Sequence, residues 1–186
     1  MLINNLRDHK ELSDYISDKC DDAEDSNGNF KVLTDKTIKP KNIFIIKVDL
    51  YFNKKISPNP KGPDCLIIQR CAEQKFNIYM AEFKDVKRPK HINKENIREK
   101  FDSCFKNFIE DKFKKYFTSD KIMIRNIKLW LISDPHNIRE HPERIKHNNV
   151  IVFKMMLGEK PIKYLNKYIA IEHNHENPTI KNCFDN

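Results

Sequence analysis

With 186 residues, a 39% hydrophobic share and 12 Phe and 6 Tyr, the chain can fold as one domain around a real core. That excludes a wholly disordered chain despite 33% charged residues. Lys and Arg outnumber Asp and Glu by 35 to 27, a net charge of +8, so polyanions are favoured partners, against the plainer alternative of a solvated basic surface.

From the N-terminus, Leu6, Leu12, Tyr15 and Ile16 recur near helical spacing, which predicts a first helix within 4–20. The acidic run "DDAEDSNGN" (21–29) reads as an exposed loop, and its spacing before Gly28 fails the calcium-loop pattern. "NIFIIKVDLYF" (42–52) predicts a strand. "NKKISPNPKGP" (53–63), with three prolines and a glycine, is a stiff loop.

Two further strands, "DCLIIQR" (64–70) and "FNIYMAEFKDV" (76–86), are apolar on both faces, as in central strands covered on both sides. Residues 94–117 give the clearest helix, with Ile97, Phe101, Cys104, Phe105, Phe108, Phe113, Tyr116 and Phe117 in one stripe and Asn93 as its cap. Its phenylalanines read as core packing, not as a base-stacking platform.

Strands are predicted at 124–134, with Trp130 in the core, and at 148–156. Residues 161–176 fit helix or strand, and the tail after Pro178 reads as frayed. The result is a single α/β domain with a mixed central sheet flanked by helices.

The five cysteines (20, 65, 71, 104, 183) form no C-x-x-C pair, and Cys65 and Cys104 lie in apolar patterns. No secretory signal is recognised and no apolar run approaches about 18 residues. These readings favour reduced thiols, a cytoplasmic location and no membrane partner.

Asp64, Glu82 and Lys84 interrupt this pattern at the strand ends. If the hairpin turns within "CAEQK" (71–75), residue i pairs with residue 146 minus i, and Asp64 lies opposite Glu82. Alternation puts Lys84 on Glu82's face, with Leu66, Ile68, Ile78 and Met80 continuing it. Two facing carboxylates repel. Either a divalent cation or a structural ion pair with Lys84 relieves them.

"Pro63-Asp64 … Glu82-Phe83-Lys84" resembles the signature of the PD-(D/E)xK nuclease superfamily, the fold of most type II restriction endonucleases. The resemblance covers about 5–135 and extends to the core order α-β-β-β-α-β. It implies a restriction-endonuclease-like fold and a Mg²⁺-dependent endonuclease, with Mn²⁺ able to substitute. Asp64, Glu82 and the Phe83 carbonyl would bind the metal, and Lys84 would orient the attacking water. Many members carry a further acid on the first helix; Glu11 and Asp14 are candidates here, as is Asp49 on the preceding strand. Helix 94–117 lacks, in the expected place, the Gln and Tyr pair of the exonuclease branch, which points to an endonuclease.

Double-stranded DNA is the implied substrate, cut by a homodimer. Residues 136–186 are left for base readout or the dimer surface. A repair or junction-resolving nuclease, and a non-catalytic binder with this fold, are the alternatives. The basic segment 84–91 contributes Lys87, Arg88 and Lys90, and the preceding loop contributes Lys54, Lys55 and Lys61, to a phosphate-binding rim. His136, His141, His147, His173 and His175 lack the tight, Cys-containing spacing of structural zinc and read as surface or DNA-facing.

Overall fold

Burial of Leu2, Ile3 and Leu6 anchors a short opening helix, α1 (Leu2–Arg7). The computed structural model describes residues 2–21, 30–56 and 59–184. In place of one helix across 4–20, α1 is followed by a 3₁₀ turn at Ser13–Tyr15 and by strands β1 (Ile16–Ser17) and β2 (Cys20–Asp21). Leu12 and Tyr15 remain buried, so their spacing reported burial of an irregular segment. Of the acidic run expected as a loop, residues 22–29 lie outside the described residues. Strands β3 (Lys31–Thr34) and β4 (Ile43–Ile46) follow.

The strand expected over 42–52 ends at Ile46, and Val48–Lys55 is helix α2. Its buried residues, Val48, Tyr51 and Phe52, have helical spacing. An unbroken apolar run conceals such a switch of period at Lys47. Asp49 therefore sits in the first turn of a helix, where an acid complements the helix dipole, and not on a strand.

Strands β5 (Cys65–Ala72) and β6 (Lys75–Phe83) form as the sequence predicts, almost wholly buried on both faces. Their register is Cys65↔Ala81, Leu66↔Met80, Ile67↔Tyr79 and Ile68↔Ile78, which is the 146-minus-i pairing. Helix α3 (Lys94–Ser103) is capped by Asn93, whose side chain accepts the Asn96 N–H at 3.0 Å. It continues through π-helical turns (Cys104–Lys112) into α4 (Lys114–Phe117) and leads to strand β7 (Met123–Ile132).

Residues 148–156, expected as a strand, lie within helix α5 (Asn148–Gly158). Val150, Phe153 and Leu157 are its buried side, and that three-and-four spacing overrides the β preference of its Val and Ile residues. The ambiguous 161–176 segment forms β8 (Ile162–Tyr164), β9 (Lys167–Ile169) and β10 (Ile171–Asn174). The tail is not frayed at its start: β11 (Thr179–Ile180) pairs in parallel with β3.

The six-stranded sheet has the order β1-β4-β5-β6-β7-β10. Pairing is antiparallel from β1 to β6 and parallel across β6, β7 and β10. Leu66, Ile68, Ile78 and Met80 face the helices and pack with Phe52, Ile97, Phe101 and Phe105 in the larger core. Cys65, Ile67, Tyr79, Ala81 and Trp130 face the other way, under a second sheet of order β11-β3-β2 that contributes Cys20, Val32 and Ile180. Each fully buried aliphatic or Phe side chain contributes roughly 1.5–3 kcal/mol before entropy is counted.

Four cysteines expected as thiols are paired. Cys20–Cys65 joins β2 to β5, with Cα atoms 5.9 Å apart, and Cys71–Cys183 joins β5 to the tail, at 5.0 Å. Spacing in sequence carries no record of such contacts, which span 45 and 112 residues. Cys104 stays a buried thiol, as expected. Among the described residues no helix is long and apolar enough to cross a membrane.

Candidate active site

The β5–β6 ladder ends at Cys65↔Ala81, and the next position outward places Asp64 against Glu82. Two contacts fix the approach of Asp64. The Asp49 N–H on α2 donates to the Pro63 carbonyl at 3.2 Å. Gly62 lies so close to α2 that a Cβ there would stand 2.9 Å from Phe52 and 3.1 Å from the Asp49 nitrogen. Across the hairpin, the Phe83 N–H donates to Asp64 Oδ2 at 2.7 Å.

Glu82 follows Met80 on the helix-facing side of β6 and is 0% exposed. Its Oε1 accepts from two ammonium groups, Lys84 Nζ at 2.7 Å and Lys100 Nζ at 2.6 Å. The Lys100 Nζ also lies 4.0 Å from Asp64 Oδ1. Glu82 Oε2 is buried and has no hydrogen-bond partner among the described residues. Burial, and then the Glu82 charge, push the Asp64 carboxyl up to about 7, against the opposing pull of Lys100 and the Phe83 N–H. Asp49 is also raised, chiefly by burial, with Glu82 adding to the effect and the Leu50 N–H, Lys100 and Lys47 opposing it.

A cleft of about 570 Å³ opens over these groups, lined by Asp49, Lys61, Asp64, Phe83, Lys84 and Lys100 together with the Asp21–Lys47 ion pair. A second groove of about 640 Å³ adjoins it through Asp85 and Val86 and carries Lys87. Of the expected rim, Lys61 lines the cleft and pairs with Glu99 at 2.8 Å. Lys54 and Lys55 close the last turn of α2, while Arg88 precedes and Lys90 lies within a 3₁₀ turn (Pro89–His91); all four are exposed and outside the cleft lining.

The structure does not bring Glu11 to the cleft. It accepts from the Tyr51 hydroxyl at 3.0 Å and pairs with Lys112 at 3.1 Å, a structural tie beneath α2. Asp14 is likewise absent from the lining, whereas Asp49 is part of it.

Lys100 is the residue that sequence reasoning missed. Its signal is faint: it stands three after Ile97 and next to Phe101, inside the stripe that packs on the sheet, and only 17% of its side chain is exposed. A helical lysine ordinarily reads as solvated.

The expectation of surface histidines fails at His173. It is 8% exposed, and its Nε2–H donates to the Ser133 carbonyl at 2.9 Å. Its Nδ1 has no partner among the described residues. Burial drives its pKa down to about 4.

Among the described residues no three His, Cys, Asp or Glu side chains are grouped closely enough to hold a metal ion. The donor set at the cleft is smaller: two acidic arms, one with an orphaned buried oxygen, beside the Phe83 backbone. Two carboxylate arms completed by water suit a small hard dication such as Mg²⁺. No protein-family model, no curated protein and no solved structure matches the chain.

Proposed function

We propose that the chain is a Mg²⁺-dependent endonuclease of the PD-(D/E)xK type with a restriction-endonuclease-like fold, hydrolysing phosphodiester bonds of double-stranded DNA. One observation carries the reading. Asp64, in the lining of the cleft, and Glu82, buried beneath it, come together at the end of a buried hairpin with two ammonium groups beside them. The antiparallel β4-β5-β6 unit, followed by a long helical crossover to parallel β7, supports the fold assignment.

In this reading Asp64 and Glu82 hold the cation, with the Phe83 carbonyl available as a third ligand. A bound dication lowers the pKa of its water and stabilises charge on the phosphate. The Phe83 N–H keeps Asp64 oriented toward Glu82. Lys84 orients the attacking water and offsets charge that develops on the phosphoryl oxygens, a fixed electrostatic contribution. Lys61 and Lys87, on the cleft and the adjoining groove, neutralise flanking phosphates.

Cutting both strands calls for two sites, so the working unit is a homodimer. The exposed face of α5 suits a second copy. Ile151, Val152, Met155 and Met156 form an exposed apolar stripe, with the Lys94 ammonium 3.6 Å from the Met156 sulfur.

A second reading has its own observation. Two ammonium groups already neutralise Glu82, as they would in a retired nuclease fold that only binds DNA. Supercoiled and linear DNA incubated with Mg²⁺ or Mn²⁺ separates the two. Discrete cutting by the wild type, reduced at least ~10²-fold in Asp64→Ala and Lys84→Ala, supports the nuclease. Binding without cutting under either metal supports the alternative.

A further inference from the structure

Lys100 holds an unusual position between the two acids. Its ammonium donates to Glu82 Oε1 at 2.6 Å and stands 4.0 Å from Asp64 Oδ1. The Lys100 ammonium thus stands between Glu82 Oε1 and Asp64 Oδ1. A dication shared by the two carboxylates needs that same interval, with metal–oxygen distances of about 2.1 Å for Mg²⁺. An ammonium and a dication do not fit there together, and their charges repel.

We propose that Lys100 is a positioning residue that stands in for the metal: it holds the two carboxylates together until a dication displaces it into the cleft, where it then meets the substrate phosphate. The inference rests on reading Asp64 and Glu82 as a metal site. The side chain has a route for this movement. It lines the cleft, its stem is long and flexible, and Lys84 stays on Glu82 Oε1 to limit the cost of its departure. Its placement on α3, an element apart from the E-x-K tripeptide, lets it change partner without moving the β6 backbone.

The proposal makes binding and turnover diverge. Removing Lys100 removes a competitor for the metal and also a phosphate partner. Mn²⁺ titration by calorimetry on the intact protein, without DNA, is the first readout. Lys100→Met and Lys100→Gln should each bind Mn²⁺ about tenfold or more tightly than wild type. Lys100→Arg, which keeps the charge, should bind it like wild type. With duplex DNA added, the two neutral variants should cut about 10²-fold more slowly despite their fuller metal occupancy.

A purely structural lysine predicts weaker Mn²⁺ binding and slower cutting together. Equal or weaker Mn²⁺ affinity in the neutral variants, with circular dichroism showing them folded, overturns the proposal and leaves the nuclease reading standing. Absence of Mn²⁺ binding by wild type and variants alike removes the nuclease reading, and the proposal with it. The Gln variant retains a hydrogen-bonding group for Glu82, so it gives the answer should the Met variant not fold.

Discussion

Asp64 Oδ2 accepts the N–H of Phe83, the residue between Glu82 and Lys84, so Asp64 is held in place by the strand that carries Glu82. The bond keeps a half-buried and a fully buried carboxyl close, an arrangement that disfavours ionisation of both. The Asp64 carboxyl, pushed up to about 7, binds its proton more tightly folded than unfolded. Between about pH 4 and 7 the folded state therefore holds the extra proton, and its stability falls as pH rises through that window. In chelator, wild type should lose on the order of a few kcal/mol from pH 5 to pH 8 on this account. Asp64→Asn, which still accepts from Phe83, should melt higher than wild type at pH 8 and alike at pH 5. Equal pH profiles for the two proteins would refute it.

His173 works in the opposite sense. Its folded pKa, about 4, lies below the ordinary value because burial disfavours the imidazolium. The unfolded chain takes up the proton first, so stability is intact above about pH 6.5 and declines as pH falls through 4. The loss is about 3 kcal/mol. His173→Gln should be less stable than wild type at pH 7 yet show a flatter acid limb in chemical denaturation. A limb as steep as that of wild type counts against this assignment.

Gly62 is a test of how the entrance to β5 is held. An added methyl meets Phe52, Val48 and the Asp49 nitrogen within 2.9 to 3.1 Å, and Phe52 is itself wholly buried. Gly62→Ala should cost about 1–3 kcal/mol through overpacking. Displacing Asp64 by even an ångström should slow cutting about 10²-fold. Gly158→Ala is the control, since its methyl meets only Ala170 at 3.9 Å and should leave melting and cutting unchanged. A Gly62→Ala protein that melts and cuts like wild type would show that the segment can move aside.

The α5 face predicts association. Sedimentation should show a concentration-dependent dimer in wild type. Met155→Glu, which places an unpaired carboxylate in the centre of the apolar stripe, should weaken that dimer by more than tenfold. Monomeric wild type at all concentrations would rule the face out as a self-interface.

The hairpin was legible because a strand's period of two and one polar link set the whole register, down to Asp64 facing Glu82. The same rule placed Lys84 correctly. Helices α2 and α5 were hidden by residues that should have marked strands: Val, Ile and Phe crowd the middle of α5, and α2 continues directly from the Ile- and Phe-rich β4, so only tertiary surroundings select the helical side that is buried. Lys100 was illegible for another reason. Its role depends on where a helix from one part of the chain crosses the end of a strand from another, and the composition of that helix does not fix this. Cys183 and β11 were lost to the same distance in sequence.

Both disulfide bridges converge on one strand. Cys65 and Cys71 sit near opposite ends of β5 and clip the outer three-stranded layer and the tail to it, while the helical side of the sheet carries no such clip. The molecule is thus a sandwich with one cover clipped covalently and one held by packing, ion pairs and hydrogen bonds. Reducing surroundings open both bridges and so remove the covalent hold of β5 on β2, whose Asp21 lines the cleft, and on the tail.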